Sequence, residues 1–531
     1  MPANPGPALG YVALVLHAHL PFVRHPEHER FLEESWLYEA IAESYLPLLE
    51  VLRGWKKDAL HAQLTLSLSP TLCAMLRDPL LKGRFERRLE ALVDLAEKEV
   101  FRTHWDQSLR PLAERYSTRF QSALKTWRGC QGDLVAAFAE LQQSGQIEIL
   151  TCAATHALLP LLAQHPPSLR AQILTARDDY RACFGQDPHG IWLPECAYVP
   201  EVEPVLQEAN LRWFITDTHG LLNANPSPKF GAFAPIYTPR GVAAFARDSE
   251  SAKQVWSRHG GYPGDPRYRD FYRDIGFDLD LEYVEPCLPS PGHRGFTGIK
   301  YYRITGGAGA QQPYEPEAAG AATEAHARHF LESRLSQVAP LAQLMDRPPL
   351  ILAPYDAELF GHWWHEGLDF IDNVVRLAAT TSPELRFLSP TTYLRFHPTQ
   401  QVARPGTSSW GENGFWGVWL NERNSWILPH LRVAQERMTN LARRLPSPSP
   451  LQRRALNQSA REVMLAQASD WPFILHTGTS PEYARGRVRD HLLRFLTLHE
   501  QLTTTGLNTA VLESMERQDN LFPGLDYRYW A

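Results

Sequence analysis

The chain has 531 residues, 53 Lys and Arg against 59 Asp and Glu, a formal charge of −6, and 44% apolar with 21% charged residues. This excludes a disordered composition, and without a Lys/Arg block it excludes the electrostatic footprint of a nucleic-acid binder. No apolar run reaches the ~18 residues that span a bilayer, and 15 tryptophans beside 19 tyrosines and 23 phenylalanines are a heavy aromatic load.

The opening MPANPGPALG has no basic segment followed by an apolar one, so no secretory signal is expected there. The cysteines, Cys73, Cys130, Cys152, Cys183, Cys196 and Cys287, are scattered without a CxxC pair. That spacing suggests neither a zinc ribbon nor a disulfide framework, and a reduced, cytoplasmic setting is the expectation.

Seven short apolar, β-branched runs follow in order: Tyr11–Leu16, Ala62–Leu68, Ile147–Cys152, Gly190–Leu193, Arg212–Thr216, Val242–Phe245 and Leu350–Ala353. Helical patterns lie between several of them. Strands alternating with helices predict an α/β fold with a parallel sheet, open or closed into a barrel. Polar chemistry follows six of the runs: His17 and His19, His156, Glu195, Asp217, Arg247 and Asp356. Only Ser69 and Pro70 follow the second. In a parallel fold the strand C-termini open on one face, which carries the site.

Residues 75–145 read as a helical insertion, with Phe85, Leu89, Leu92, Leu95 and Val100 near helical spacing. Pro204–Ala209 and Ala319–Met345 also read as helix, and Ser249–Arg294 as a functional loop. Gln401–Ser409 is a candidate linker. Beyond it, one helical stripe runs through Leu451, Ala455, Leu456, Val463 and Leu465, and a second through Tyr483, Val488, Leu492, Phe495 and Leu496. The expected division is a catalytic domain over 1–400 and a helical domain over 401–531 that contributes to the cleft.

Four constellations could carry chemistry. His17 and His19 stand at i and i+2 after a strand, which suits hydrogen bonds to sugar hydroxyls, a structural pair, or a metal with His156 or Asp217 as a further ligand. Glu195 leaves a strand between Trp192 and Tyr198 with Pro194 before it, as a nucleophile or as the partner of an arginine. Asp356, Glu358, His362, Trp363 and Trp364 fall within a few residues of each other. Two carboxyl groups from separate strands are what glycosidic cleavage requires, and a helix-capping Asp356 is the alternative. Trp410, Trp416, Trp419 and Trp426 crowd SWGENGFWGVWLNERNSW, where indoles either stack on sugar rings or join the two domains. Asp470 could bring another carboxylate to the same cleft.

HAHLP, IWLPECAY and APYDAELFGHWW together resemble glycoside hydrolase family 57. EESWLYEAI, ILTCAATHALLPLL, VWSRHGGYPGD, SSWGENG and ASDWPF are similar to its α-1,4-glucan branching subgroup. The resemblance implies an incomplete (β/α)7 barrel with a helical insertion and an all-helical C-terminal domain. It implies a retaining mechanism with Glu195 as nucleophile and Asp356 as general acid/base. It places Arg247, Gly264, Trp410 and Asp470 at the glucan, with His17, His19, Trp36, Trp256 and Trp419 lining the cleft. No metal or other cofactor is implied. The expected partner is an α-1,4-glucan, handled by a monomer or weak oligomer with no nucleic acid or membrane involved. A 6-hydroxyl acceptor would make the product an α-1,6 branch of a glycogen-type polymer.

The alternatives are an α-glucan hydrolase or 4-α-glucanotransferase of the same family, a metal-dependent hydrolase or deacetylase using His17, His19 and His156, and a glucan-binding protein without catalysis. The subgroup carries a tyrosine on a mobile loop over the site. By position the matching stretch is Asn223–Pro235, which holds Phe230 and Phe233 and no tyrosine, so weaker branching or more hydrolysis is an expectation. Trp36, Trp192, Trp256, Trp363, Trp364, Trp410, Trp419 and Trp471 are expected at the cleft. Trp55, Trp105, Trp127, Trp213, Trp416, Trp426 and Trp530 are expected in the core or an interface.

Overall fold

A computed structural model of the chain describes residues 8–257, 260–306 and 311–531. Its sheet is built from β1 (Gly10–Ala18), β2 (Leu64–Leu68), β3 (Ile147–Cys152), β4 (Gly190–Trp192), β5 (Trp213–Thr216), β6 (Ile236–Tyr237), β7 (Ala243–Ala246), β8 (Leu350–Asp356) and β9 (Leu385–Phe387). Seven strands run parallel in the order β7-β5-β4-β3-β2-β1-β8, and no ladder joins β7 to β8 among the described residues. This is the incomplete barrel expected from the resemblance. All nine positions of β1 are buried, because side chains on both faces meet packed layers. The inward face packs Tyr11, Ala13, Val15, Leu150, Trp192, Trp213, Phe245 and Leu352 into a closed core.

Register sets the level of the site. His17 on β1 pairs with Ser67 on β2 and with Asp356 on β8. Three polar groups from three strands therefore stand at one height, at the C-terminal edge of the sheet.

The seven predicted runs coincide with β1, β2, β3, β4, β5, β7 and β8. The short β6, antiparallel to β7, and β9, beside the start of β1, were not expected. Between β2 and β3 lie four helices, Pro70–Arg77, Pro79–Arg102, Arg110–Gly129 and Leu134–Gln143. The first two begin on Ser69 and Asp78, whose side chains accept backbone N–H bonds ahead of a proline at the first helical position. The loop after β7 is organised around buried Asp274, which accepts from Gly276 N, Thr297 N, Thr297 Oγ1 and Gly298 N at 2.7–3.0 Å.

After Phe387 the regular elements among the described residues are helical, including Ile427–Arg444, Pro450–Ala466, Asp470–Thr477, Pro481–Glu500 and Thr509–Gln518. The first stripe is buried along Ala455, Leu456, Val463 and Leu465, but in the second Leu496 faces solvent and Leu498 takes the core position. No helix among the described residues is long and apolar enough to cross a membrane.

Candidate active site

A cavity of about 380 Å³ opens at the C-terminal edge of the sheet. Its wall carries His17 and His19 from the end of β1, His156 after β3, Glu195 after β4, Arg247 after β7, and Asp356 and Glu358 at the end of β8. Trp410 closes one side, and Asp470 and Phe473 reach in from the C-terminal helices. Trp256, Trp363 and Phe473 form a solvent-facing rim at 37%, 47% and 45% exposure.

Glu195 is held in a strained backbone, with φ 62° and ψ 24°, and Cys196 follows at φ 50°. Left-handed geometry in a non-glycine residue costs of order 1–3 kcal/mol and persists where the surroundings enforce it. Here Trp410 enforces it twice: its backbone N–H donates to the Glu195 carbonyl at 2.9 Å, and its indole Nε1 donates to Glu195 Oε2 at 2.6 Å.

Burial pushes Glu195 up to about 8, against the Trp410 hydrogen bond, and the charges of Asp356 and Asp470 push the same way. Burial pushes Asp356 to about 7, opposed by Arg247. Burial and then Asp356 raise Glu358 to about 8, opposed by the Tyr45 hydroxyl bonded to it. Arg247 is the one Arg or Lys among the described lining residues, and it is already paired with Asp217 at 2.8 Å. With so little positive charge against their burial, these three carboxyls hold protons up to near neutrality.

The histidines form a relay fastened by serines. Ser67 Oγ lies 3.0 Å from His17 Nδ1, His17 Nε2 lies 3.0 Å from His156 Nε2, and His156 Nδ1 lies 2.8 Å from Ser469 Oγ. His19 Nδ1 lies 2.8 Å from Ser69 Oγ, and its Nε2 lies 3.2 Å from both Asp470 oxygens. Burial, then the neighbouring His19, holds His17 and His156 well below the usual imidazole range, so both are neutral near pH 7. His17 also stacks on Trp192 at 4.5 Å and 11°.

Two nitrogen-rich groups could be imagined around a metal: His19, His156 and Asp470, and His17, Cys152 and His156. The His19 and His156 rings lie face to face at 3.8 Å and 9°. Their lone pairs therefore lie in two parallel planes, and no single ion can lie in both ring planes as ligation by both imidazoles requires. Asp217, the other candidate ligand, is committed to Arg247.

Of the sequence candidates, the cavity gathers His17, His19, Glu195, Arg247, Trp256, Asp356, Trp410 and Asp470. Trp36 instead packs edge-on against Tyr483. Gly264 is exposed at the end of a short 3-10 turn, outside the lining. Trp419 is buried with Leu158, Ala197 and Val418 and borders the next cavity along, where Trp416 also sits. Trp192, Trp364 and Trp471 are fully buried and support the site from beneath without facing it. Sequence reasoning missed Ser67, Ser69, Ser469, Tyr45 and Phe473.

The stretch 223–235 requires a correction. Its Phe233 carbonyl accepts from Leu350 N at the start of β8, and Arg347 lies over the Phe230 ring at 5.7 Å. Phe230 and Phe233 thus pack at the opposite end of the sheet from Asp356, so the lack of a tyrosine there says nothing about a cover over the site.

Residues 13–405 match the profile of glycosyl hydrolase family 57, and residues 430–530 match that of the C-terminal region of 1,4-alpha-glucan branching enzymes. The chain belongs to glycoside hydrolase family 57. It is similar, at 32% identity over 97% of its length and 77% of the relative's, to a 1,4-alpha-glucan branching enzyme of Thermococcus kodakarensis. Among solved structures it is similar to the alpha-amylase AmyC of Thermotoga maritima, with 41% identity, a TM-score of 0.91 and coverage of 98% and 99% of the two chains. It is also similar to a branching enzyme of Pyrococcus horikoshii, with 32% identity, a TM-score of 0.88 and coverage of 98% and 97%.

Proposed function

We propose that this family 57 enzyme is a 1,4-α-glucan branching enzyme, in which Glu195 is the nucleophile and Asp356 the general acid/base. The observation that carries the reading is the pairing of these two carboxyls in one aromatic-rimmed cavity, with the Trp410 indole on Glu195. Retaining cleavage needs one carboxylate and one carboxylic acid. Even with the indole bond in place, burial leaves Glu195 the weaker acid of the pair in the empty cavity, at about 8 against about 7. The indole bond favours its ionised form, and positive charge developing at the anomeric carbon favours it further in the transition state.

Glu195 attacks the anomeric carbon while Asp356 gives its proton to the leaving glycosidic oxygen, and a glycosyl-enzyme forms. Asp356, now a base, takes the proton of an acceptor 6-hydroxyl. That oxygen displaces Glu195 and forms the α-1,6 bond. Transfer beats hydrolysis when the acceptor is held and water excluded. The rim of Trp256, Trp363 and Phe473 offers such apolar walls. Asp470, whose carboxylate faces the cavity while holding His19, has acceptor capacity left for sugar hydroxyls.

α-Glucan hydrolysis is the second reading, favoured by the likeness to the Thermotoga maritima enzyme described as an alpha-amylase. Product linkage separates the two. After incubation with amylose, debranching with isoamylase should release new short chains while reducing ends rise little. Rising reducing ends with no released chains would reject branching.

The proposed role places the enzyme in glycogen-type polymer synthesis, consistent with a cytoplasmic setting.

A further inference from the structure

The helices that follow β2 and β3, Pro70–Arg77 and Pro166–Phe184, pack against each other. Each brings a cysteine to the contact: Cys73 is buried and Cys183 partly exposed. The two thiols act on each other's protonation: Cys183 and burial hold the Cys73 thiol well above its ordinary range, and Cys73 lowers Cys183. Arg77 stands one turn after Cys73 on the same face, and its Nη1 lies 3.2 Å from Cys183 Sγ. Asp179, one turn before Cys183, receives the other contact of that sulfur at 3.8 Å. None of these groups lines the catalytic cavity.

We propose that Cys183 is a modification site for low-molecular-weight disulfides and that Cys73 is its resolving thiol. A guanidinium against a partly exposed sulfur stabilises the thiolate, the attacking form. Cys73, and then Arg77, bring the Cys183 thiol down to about 7 against the effect of burial. The Cys183 thiolate attacks one sulfur of the small disulfide. The old S–S bond breaks, one small thiolate leaves, and a mixed disulfide forms on Cys183. Cys73 then gives up its proton to the departing thiolate or to water and attacks the Cys183 sulfur. This forms the Cys73–Cys183 bond and expels the second small thiolate. Two protein thiols are oxidised and one small disulfide is reduced to two thiols.

Cys130 is an internal control. It is also partly exposed, but its sulfur contacts the Trp127 carbonyl and burial raises its thiol. Cys152, Cys196 and Cys287 are buried.

The test is to add hydroxyethyl disulfide to the full chain at pH 7 and map peptides by mass without reduction. Cys183 should react at least about tenfold faster than Cys130, as their thiolate fractions dictate. A Cys73–Cys183 linked peptide lacking two hydrogens should accumulate. Cys73→Ser should stop at the mixed disulfide on Cys183, and Cys183→Ser should give no linked peptide. The proposal is overturned by no reaction at Cys183, by equal rates at Cys183 and Cys130, or by a wild-type mixed disulfide that never resolves.

Discussion

Trp410 is the residue on which the proposed chemistry leans most. Its indole makes the one hydrogen bond from a side chain to the Glu195 carboxyl seen among the described residues, at 2.6 Å. A bond to a charged group contributes about 1.5–3 kcal/mol, so Trp410→Phe should lower kcat by about 10- to 150-fold with the ring's packing kept. Unchanged kcat would remove Trp410 from the account. Glu358 makes a pH-dependent prediction. Its folded pKa, about 8, is raised above the ordinary 4.5 by burial, so its contribution to stability is full below pH 4.5 and is lost as pH rises toward 8. Glu358→Gln removes that loss. The melting temperature of the variant relative to wild type should therefore climb between pH 5 and pH 9, with an upper bound of about 4 kcal/mol. A difference that stays flat with pH would contradict a protonated Glu358.

At the scale of elements, the site depends on a π-helical segment, Ile41–Tyr45, inserted between Glu34–Ala40 and Leu46–Lys57. The wider turn sets Tyr45 on Glu358 and Glu43 on His362, at 2.6 Å for the latter pair. It also brings the Glu43 carbonyl against Gly361, where an added Cβ would meet that oxygen at 2.0 Å with φ at +101°. Gly361→Ala should cost about 2–4 kcal/mol in denaturant unfolding, and stability within error of wild type would show that the loop can retreat. The legibility of these elements was uneven for physical reasons. Parallel strands buried on both faces read as continuous apolar runs, so seven were visible, whereas β6 and β9 are two and three residues long and, unlike the equally short β4, sit in no apolar run. Polar residues just past the runs marked Glu195, Arg247, Asp356 and the histidines. Ser67 and Ser469 left no signal, and Ser69, though it stands at a strand end, gave none of its role, because a serine that fastens a ring has no spacing to betray it. Trp36 and Gly264 came from motif likeness alone and lie outside the cavity, and Trp419, read from its aromatic stretch, turns into a neighbouring apolar cluster.

At the scale of the molecule, the C-terminal helices complete the wall of the site. Asp470 meets His19 and Ser469 meets His156, while Thr155 donates to the Met464 carbonyl and Gln172 donates to Gln467. The proposed division near residue 400 therefore marks a change of architecture, with the site built from both parts. The aromatic excess resolves the same way: much of it is core, as with Trp55, Trp127, Trp213 and Trp530, and a smaller share faces the cavity through Trp256, Trp363 and Trp410. The proposed reaction requires that Glu195 become covalently bonded to the transferred glucan. The direct measurement is peptide mass mapping of the enzyme after inactivation by a 5-fluoro-α-glucosyl fluoride, which forms the intermediate faster than it breaks down. One glycosyl adduct should appear on the peptide carrying Glu195 and be absent in Glu195→Gln. An adduct on Glu358, Asp470 or Asp356, or inactivation with no adduct, would contradict it.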